Sequence, residues 1–125
     1  MYRHYNPNPQ NNYVGDCTVR AIAKGTNQDW DTTYMSLALK GLEMADMPSA
    51  NQVWDAYLRQ KGFVRYSVPN ECPECYTLAD FCREYPRGMY IVALPSHVVA
   101  VNDGDYFDAW DSGMETPIYY YKKER

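Results

Sequence analysis

The chain changes its hydrophobic period at Met89, and that change limits the folds open to it. Met89-Tyr90-Ile91-Val92-Ala93-Leu94, His97-Val98-Val99-Ala100-Val101 and Tyr106-Phe107-Asp108-Ala109-Trp110 are short runs rich in β-branched and aromatic residues. Runs of that length and make-up read as strands. Asn102-Asp103-Gly104-Asp105 supplies hairpin-turn chemistry between the last two. Consecutive antiparallel strands follow, with Ile118-Tyr119-Tyr120-Tyr121 as a closing strand suited to an edge. Upstream the period is helical. Helices first and a meander afterwards predict an α+β chain, its N-terminal helices packed on a C-terminal antiparallel sheet.

The helical part can be read in order. Asp16 is placed to cap a short helix from Cys17 to Lys24, with Gly25 as its C-terminal glycine and Val19, Ile22 and Ala23 facing inward. Thr26-Asn27-Gln28-Asp29 opens a second helix that sets Trp30, Tyr34, Leu37, Ala38, Gly41 and Leu42 on one face. It should end near Ala45, before Pro48. Ser49 caps a third, which buries Val53, Trp54, Tyr57 and Leu58 and closes at Gly62. Phe63 to Val68 alternates as a strand. Thr77 with Asp80 resembles a capping box for a short helix that Pro86 and Gly88 stop. Residues 1–15, with Pro7, Pro9 and several asparagines, read as an extended surface arm, 16–62 as the helical part and 63–125 as mainly β. The 125 residues suit one domain.

Charge narrows the function. A formal net charge of −4 argues against nucleic acid and against an anionic membrane surface as partner. Met1 to Pro9 carries no apolar leader, and no stretch has the length of a membrane span, so a cytoplasmic location is expected. There, Cys17, Cys72, Cys75 and Cys82 should be reduced thiols. Cys72-Pro73-Glu74-Cys75 could be half of a zinc site, completed by Cys82 and His4, but the second close pair such sites use is missing. The expectation is an ordinary loop, with no metal and no cofactor.

The chemistry lies in three places. Cys17 opens a helix, where free N–H groups and the helix dipole favour a thiolate. His97 opens a strand, and Asp108 or Asp111 lies on the next one. A cysteine on a small apolar helix is by itself usually a packing residue, and a histidine at a strand start usually structural. In this order, with an acid, they are the parts of a thiol hydrolase: nucleophile, base and orienting partner. A hairpin centred on Gly104 would set Asp111 opposite His97, which makes Asp111 the preferred third member. Asp108 would then sit two or three pairs along and is held second.

With these residues in place the chain resembles a minimal papain-like cysteine peptidase, and is similar to bacteriocin-processing double-glycine peptidases. The resemblance is carried by Gly15-Asp16-Cys17 and its helix, by His97 to Val101, and by Tyr106 to Gly113. The layout also resembles small uncharacterised proteins of phages and prophages. Papain-like enzymes pair the histidine with an Asn-Ser, which Asp111-Ser112 would replace, whereas the double-glycine peptidases have an Asp-Pro-Trp-like stretch that Asp108-Ala109-Trp110 echoes. The resemblance further implies a carboxamide donor to the oxyanion near Asn11, with Gln10 and Asn12 beside it, and a second donor in the Cys17 N–H. It implies cleavage of a peptide, isopeptide or amide bond in a protein or peptide substrate. The alternative is a papain-like fold without catalysis that grips a protein target, for example as a phage-encoded counter-defence factor.

Overall fold

The computed structural model describes residues 1–68 and 76–124, so Cys72 and Cys75 lie outside the described residues. The described chain is mixed α+β, with four helices and one six-stranded sheet. Its elements are β1 (Tyr2–His4), α1 (Cys17–Thr26), α2 (Trp30–Met44), α3 (Asn51–Gln60), β2 (Phe63–Ser67), α4 (Leu78–Glu84), β3 (Met89–Leu94), β4 (His97–Asn102), β5 (Asp105–Asp108) and β6 (Tyr119–Lys123). The sheet order is β1-β5-β4-β3-β6-β2. No described helix is long and apolar enough to cross a membrane.

Two strands depart from expectation. β6 is no edge strand: it is antiparallel both to β3 (Ile91 opposite Tyr121) and to β2 (Arg65 opposite Tyr121). β2 follows the helical part, returns to the sheet beyond β6 and takes the edge. The N-terminal arm is not wholly irregular either, because Tyr2, Arg3 and His4 pair parallel with Tyr106, Phe107 and Asp108. Three residues give no alternating pattern long enough to reveal a strand.

Alternation along the central strands divides the core. Ile91, Val98, Ala100 and Tyr121 pack with Ala21, Ile22, Trp54 and Leu58 from α1 and α3, while Tyr90, Val92, Val99 and Val101 pack with Leu78, Phe81 and Cys82 from α4. The sheet is thus covered on both faces, which explains why β3 and the middle of β4, Val98 to Val101, are apolar without alternation. α1 lies very close to β3. A Cβ at Gly25 would come within 2.6 Å of Ile91 Cδ1, so this glycine serves a close approach inside the helix. The left-handed helix end falls instead on Asn27, at φ 56°.

The caps are mixed. Thr77 and Asp80 form the reciprocal capping box, and the Asp29 carboxylate accepts from the Thr32 N–H. α3 begins after Ala50 with no side-chain cap, so Ser49 lies in the preceding turn. α2 buries only the narrow row Thr33, Leu37 and Gly41. Tyr34 and Leu42 are exposed, and Met35, Leu39 and Leu42 form a solvent-facing apolar row. The chain folds back on α2 at Gly41, where a Cβ would meet Asp46 O at 2.7 Å, so this position has no room for a side chain.

Candidate active site

The β4–β5 turn sets the site's register. Asp103 and Gly104 both have positive φ, at 49° and 83°, the requirement of a two-residue hairpin turn whose twist suits the strands. Asn102 therefore pairs with Asp105, Val101 with Tyr106 and Ala100 with Phe107. Continued outward, this register puts Val99 opposite Asp108 and His97 opposite Trp110. Asp108 is in phase with His97, two residues along, and Asp111 is out of phase. A one-residue difference in register is enough to reverse which side chains share a side. The preference for Asp111 is corrected on this ground.

The contacts agree with the register. His97 Nε2 donates to Asp108 Oδ2 at 2.7 Å, and the Asp108 side chain is almost fully buried. Ser112 Oγ donates to the same oxygen at 2.7 Å. Asp108 Oδ1 accepts from Arg20 at 3.0 Å and from the Ala109 N–H at 2.8 Å. Four donors thus fix this carboxylate, about as many as its lone pairs can serve. Trp110 lies against the imidazole, with ring centroids 4.8 Å apart. Asp111 is exposed and accepts instead from Tyr106 Oη at 2.5 Å and from the Gly113 N–H at 3.0 Å. Its task is to pin the loop after β5.

Arg20 is the residue that sequence reasoning passed over. It lies buried one turn along α1 from Asp16 and bonds both Asp16, at 2.5 Å, and Asp108. Asp16 also accepts from Trp30 Nε1 at 2.8 Å. Its carboxylate therefore does not cap α1, which leaves the first-turn N–H groups beside Cys17 without a side-chain acceptor. The available signal was an arginine beside the apolar positions Val19, Ile22 and Ala23. A charge on that face needs a buried partner.

Cys17 and His97 line one cleft of about 380 Å³, together with Gly15, Thr18, Asn51 and Trp54. Burial pushes the Cys17 thiol up, but hydrogen bonding with His97 and with the Val98 backbone, and the attraction of the imidazolium, leave it below the usual thiol value. Burial alone would lower His97, yet Asp108 and Cys17 favour its proton and bring it to about 9. Burial likewise works to raise Asp108, and the His97 and Ser112 hydrogen bonds keep it below the ordinary carboxyl value. Cys17, His97 and Asp108 thus form one row in which each group shifts the titration of the next.

Gln10, Asn11 and Asn12 are exposed and are not among the residues that line this cleft. Asn11 sits in a turn at φ 56°, its N–H bonded to Asn8 O, and the Asn12 carbonyl accepts from Asn6. The N–H groups at the α1 start, Cys17 among them, are the donors the fold keeps beside the thiol. Among the described residues no group of three His, Cys, Asp or Glu side chains is arranged to hold a metal ion. Compared with protein-family models, curated proteins and solved structures, the chain matches none.

Asp108→Asn and Asp111→Ala separate the two acids. Asn at 108 removes the buried charge that holds the imidazolium, and Cys17 alkylation at pH 7 should slow by about tenfold or more, one order for each pKa unit lost. Asp111→Ala should change the rate by less than about twofold, since an exposed loop contact is worth a few tenths of a kcal/mol. Site-resolved mass spectrometry of iodoacetamide adducts gives both rates, and a larger loss with Asp111→Ala than with Asp108→Asn would return the choice to Asp111.

Proposed function

We propose that the protein is a papain-like thiol hydrolase that cleaves a peptide, isopeptide or amide bond. The observation that carries this is the row Cys17–His97–Asp108: a thiol lowered by its imidazole, and an imidazole fixed by a buried, four-times-bonded carboxylate. In this reading the Cys17 thiolate attacks the acyl carbon and the N–H groups at the start of α1 face the developing oxyanion. His97 then gives its proton to the leaving amine, forming the acyl-enzyme. Water then attacks the acyl carbon as His97 takes its proton, and the bond to Cys17 Sγ breaks, which releases the acid and leaves the thiolate beside the protonated His97. Asp108 keeps the ring oriented and supports its charge.

Reaction of the native protein with iodoacetamide at neutral pH, followed at each cysteine, is the direct test. Cys17 should react faster than Cys72 and Cys75, and Cys17→Ala should abolish amide cleavage while circular dichroism stays unchanged. If Cys17 reacts no faster than those two thiols, the activated nucleophile is refuted.

The exposed row Met35, Leu39 and Leu42 on α2 favours a second reading, in which the same fold grips a protein target without catalysis. A biological effect that survives Cys17→Ala and His97→Ala would select it.

A further inference from the structure

A row of paired residues leads across the sheet from Cys17 to a cation on β2. The thiol bonds the Val98 backbone, and Val98 on β4, Ala93 on β3, Tyr119 on β6 and Ser67 on β2 are partners in register across four strands. Tyr119 and Asn51 line the cleft above Cys17, and both also line a further cleft of about 320 Å³. That further cleft holds three charged side chains, Asp55, Arg59 and Arg65. Asp55 accepts from Arg59 Nε at 3.0 Å and, through its other oxygen, from Tyr121 Oη, so the charges of Asp55 and Arg59 offset each other. Arg65 is exposed and has no carboxylate partner among the described residues. Its guanidinium is instead held over the Tyr119 ring, 4.0 Å from the centroid. The cleft therefore carries one positive charge that nothing neutralises, fixed beside the path from the thiol.

We infer that Arg65 is a carboxylate anchor, and that the peptide cleaved carries a glutamate or aspartate at the third or fourth residue on the acyl side of the scissile bond. The inference rests on the thiol-hydrolase reading and adds a charge requirement to its substrate. His97 decides the side. Its proton goes to the leaving amine, and Trp110 lies against its ring on the side of β5. The row from Val98 to Ser67 runs the other way, away from β5, and so takes the acyl part. Distance decides the position. Neighbouring strands lie about 4.8 Å apart, which puts Tyr119 about 10 Å and Ser67 about 14 Å from Val98 along the row. An extended peptide advances about 3.3 Å per residue, and its third or fourth side chain then reaches the guanidinium over Tyr119. That planar group can meet a carboxylate with two parallel N–H···O bonds. The whole chain has a net charge of −4 and repels anions at long range, so a preference for an acidic residue has to come from a local cation.

The test uses the full chain and tetrapeptidyl acyloxymethyl ketones of alanine that differ only in one side chain, Glu, Gln or Lys, at the third or fourth residue on the acyl side. At one of those positions Glu should inactivate Cys17 at least about threefold faster than its isostere Gln at low salt, the discrimination of one exposed charged pair, and Lys should be slower than Gln. The Glu-to-Gln ratio should fall toward one in about 1 M salt, where the screening length is about 3 Å. Arg65→Glu, a change at an exposed position, should reverse the order so that Lys is fastest. Equal rates for Glu and Gln at both positions, or a preference for Glu that survives Arg65→Glu, would overturn the anchor. Iodoacetamide, uncharged and too small to reach Arg65, separates the two failures. Fast alkylation of Cys17 without a preference for Glu overturns the anchor alone. Alkylation no faster than at Cys72 and Cys75 overturns the hydrolase reading and this inference with it.

Discussion

Arg20→Met should be among the most damaging single substitutions in the chain. Arg20 is the cation between two buried carboxylates, Asp16 and Asp108. Methionine keeps much of its length but leaves two like charges facing each other without it. Removing one partner of a buried ion pair costs about 3–5 kcal/mol, so the melting temperature should fall by on the order of 10 °C or more. The pH dependence should carry a signature. In the native protein Asp108 is held below its ordinary value of 3.8, so it contributes stability above that pH, lost as the pH falls through the folded value. Without Arg20 the ionised form of Asp108 loses a partner, and acid instead relieves the repulsion. The gap in melting temperature between the two proteins should narrow as the pH drops from 7 toward 4. A gap that stays constant, or a loss of under about 2 °C, would show that Arg20 is not the keystone of this network.

His97→Ala should have the largest effect on thiol chemistry. With His97 in place, alkylation of Cys17 should rise through a midpoint below the ordinary thiol value of 9.0, then stay level until His97 gives up its proton near pH 9. Without the imidazole, burial pushes the thiol up and is opposed by only the hydrogen bonds with the Val98 backbone and Thr18. The midpoint should move upward, and the rate at pH 6.5 should drop at least about tenfold. Cys82 provides an internal reference, since burial among Phe81 and its neighbours raises that thiol to about 11. It should stay nearly inert in both proteins. The measurement is rate against pH for each cysteine by peptide mass spectrometry, and identical midpoints with and without His97 would rule out the pair.

These two residues stood differently in the sequence. His97 was legible because a strand of apolar residues began on it and the other histidine lay in the N-terminal arm. Arg20 was harder to read: its place beside Val19, Ile22 and Ala23 turns it toward the core, but nothing local names its distant partner. Its partners come from one turn back along α1 and from a strand 88 residues further on. Asp16 shows a related limit: its position before the helix is that of a cap, but the Arg20 guanidinium one turn on and the Trp30 indole N–H took its carboxylate instead. α2 was misread for a related reason. Leu37 does face inward, but Tyr34 and Leu42, assigned to the same face, are exposed, and the close return of the chain at Gly41 leaves that position no room for a side chain.

By itself the sequence determined the elements other than β1, and their chemistry. Helical period upstream and apolar strand runs downstream give α+β, the Thr77–Asp80 box starts α4, and the Asp103–Gly104 pair makes a tight hairpin because both residues accept positive φ. It also supplied Cys17 and His97 as chemically suited residues. Tertiary structure alone decided which acid meets the imidazole, where β1 and β6 enter the sheet, and that Asp16, Arg20 and Asp108 form one buried charge row. The reason is range. Capping and turn preferences act within a few residues, whereas strand neighbours, the phase of a ladder and the partner of a buried charge are fixed by whichever distant groups the packed chain brings within a few ångströms.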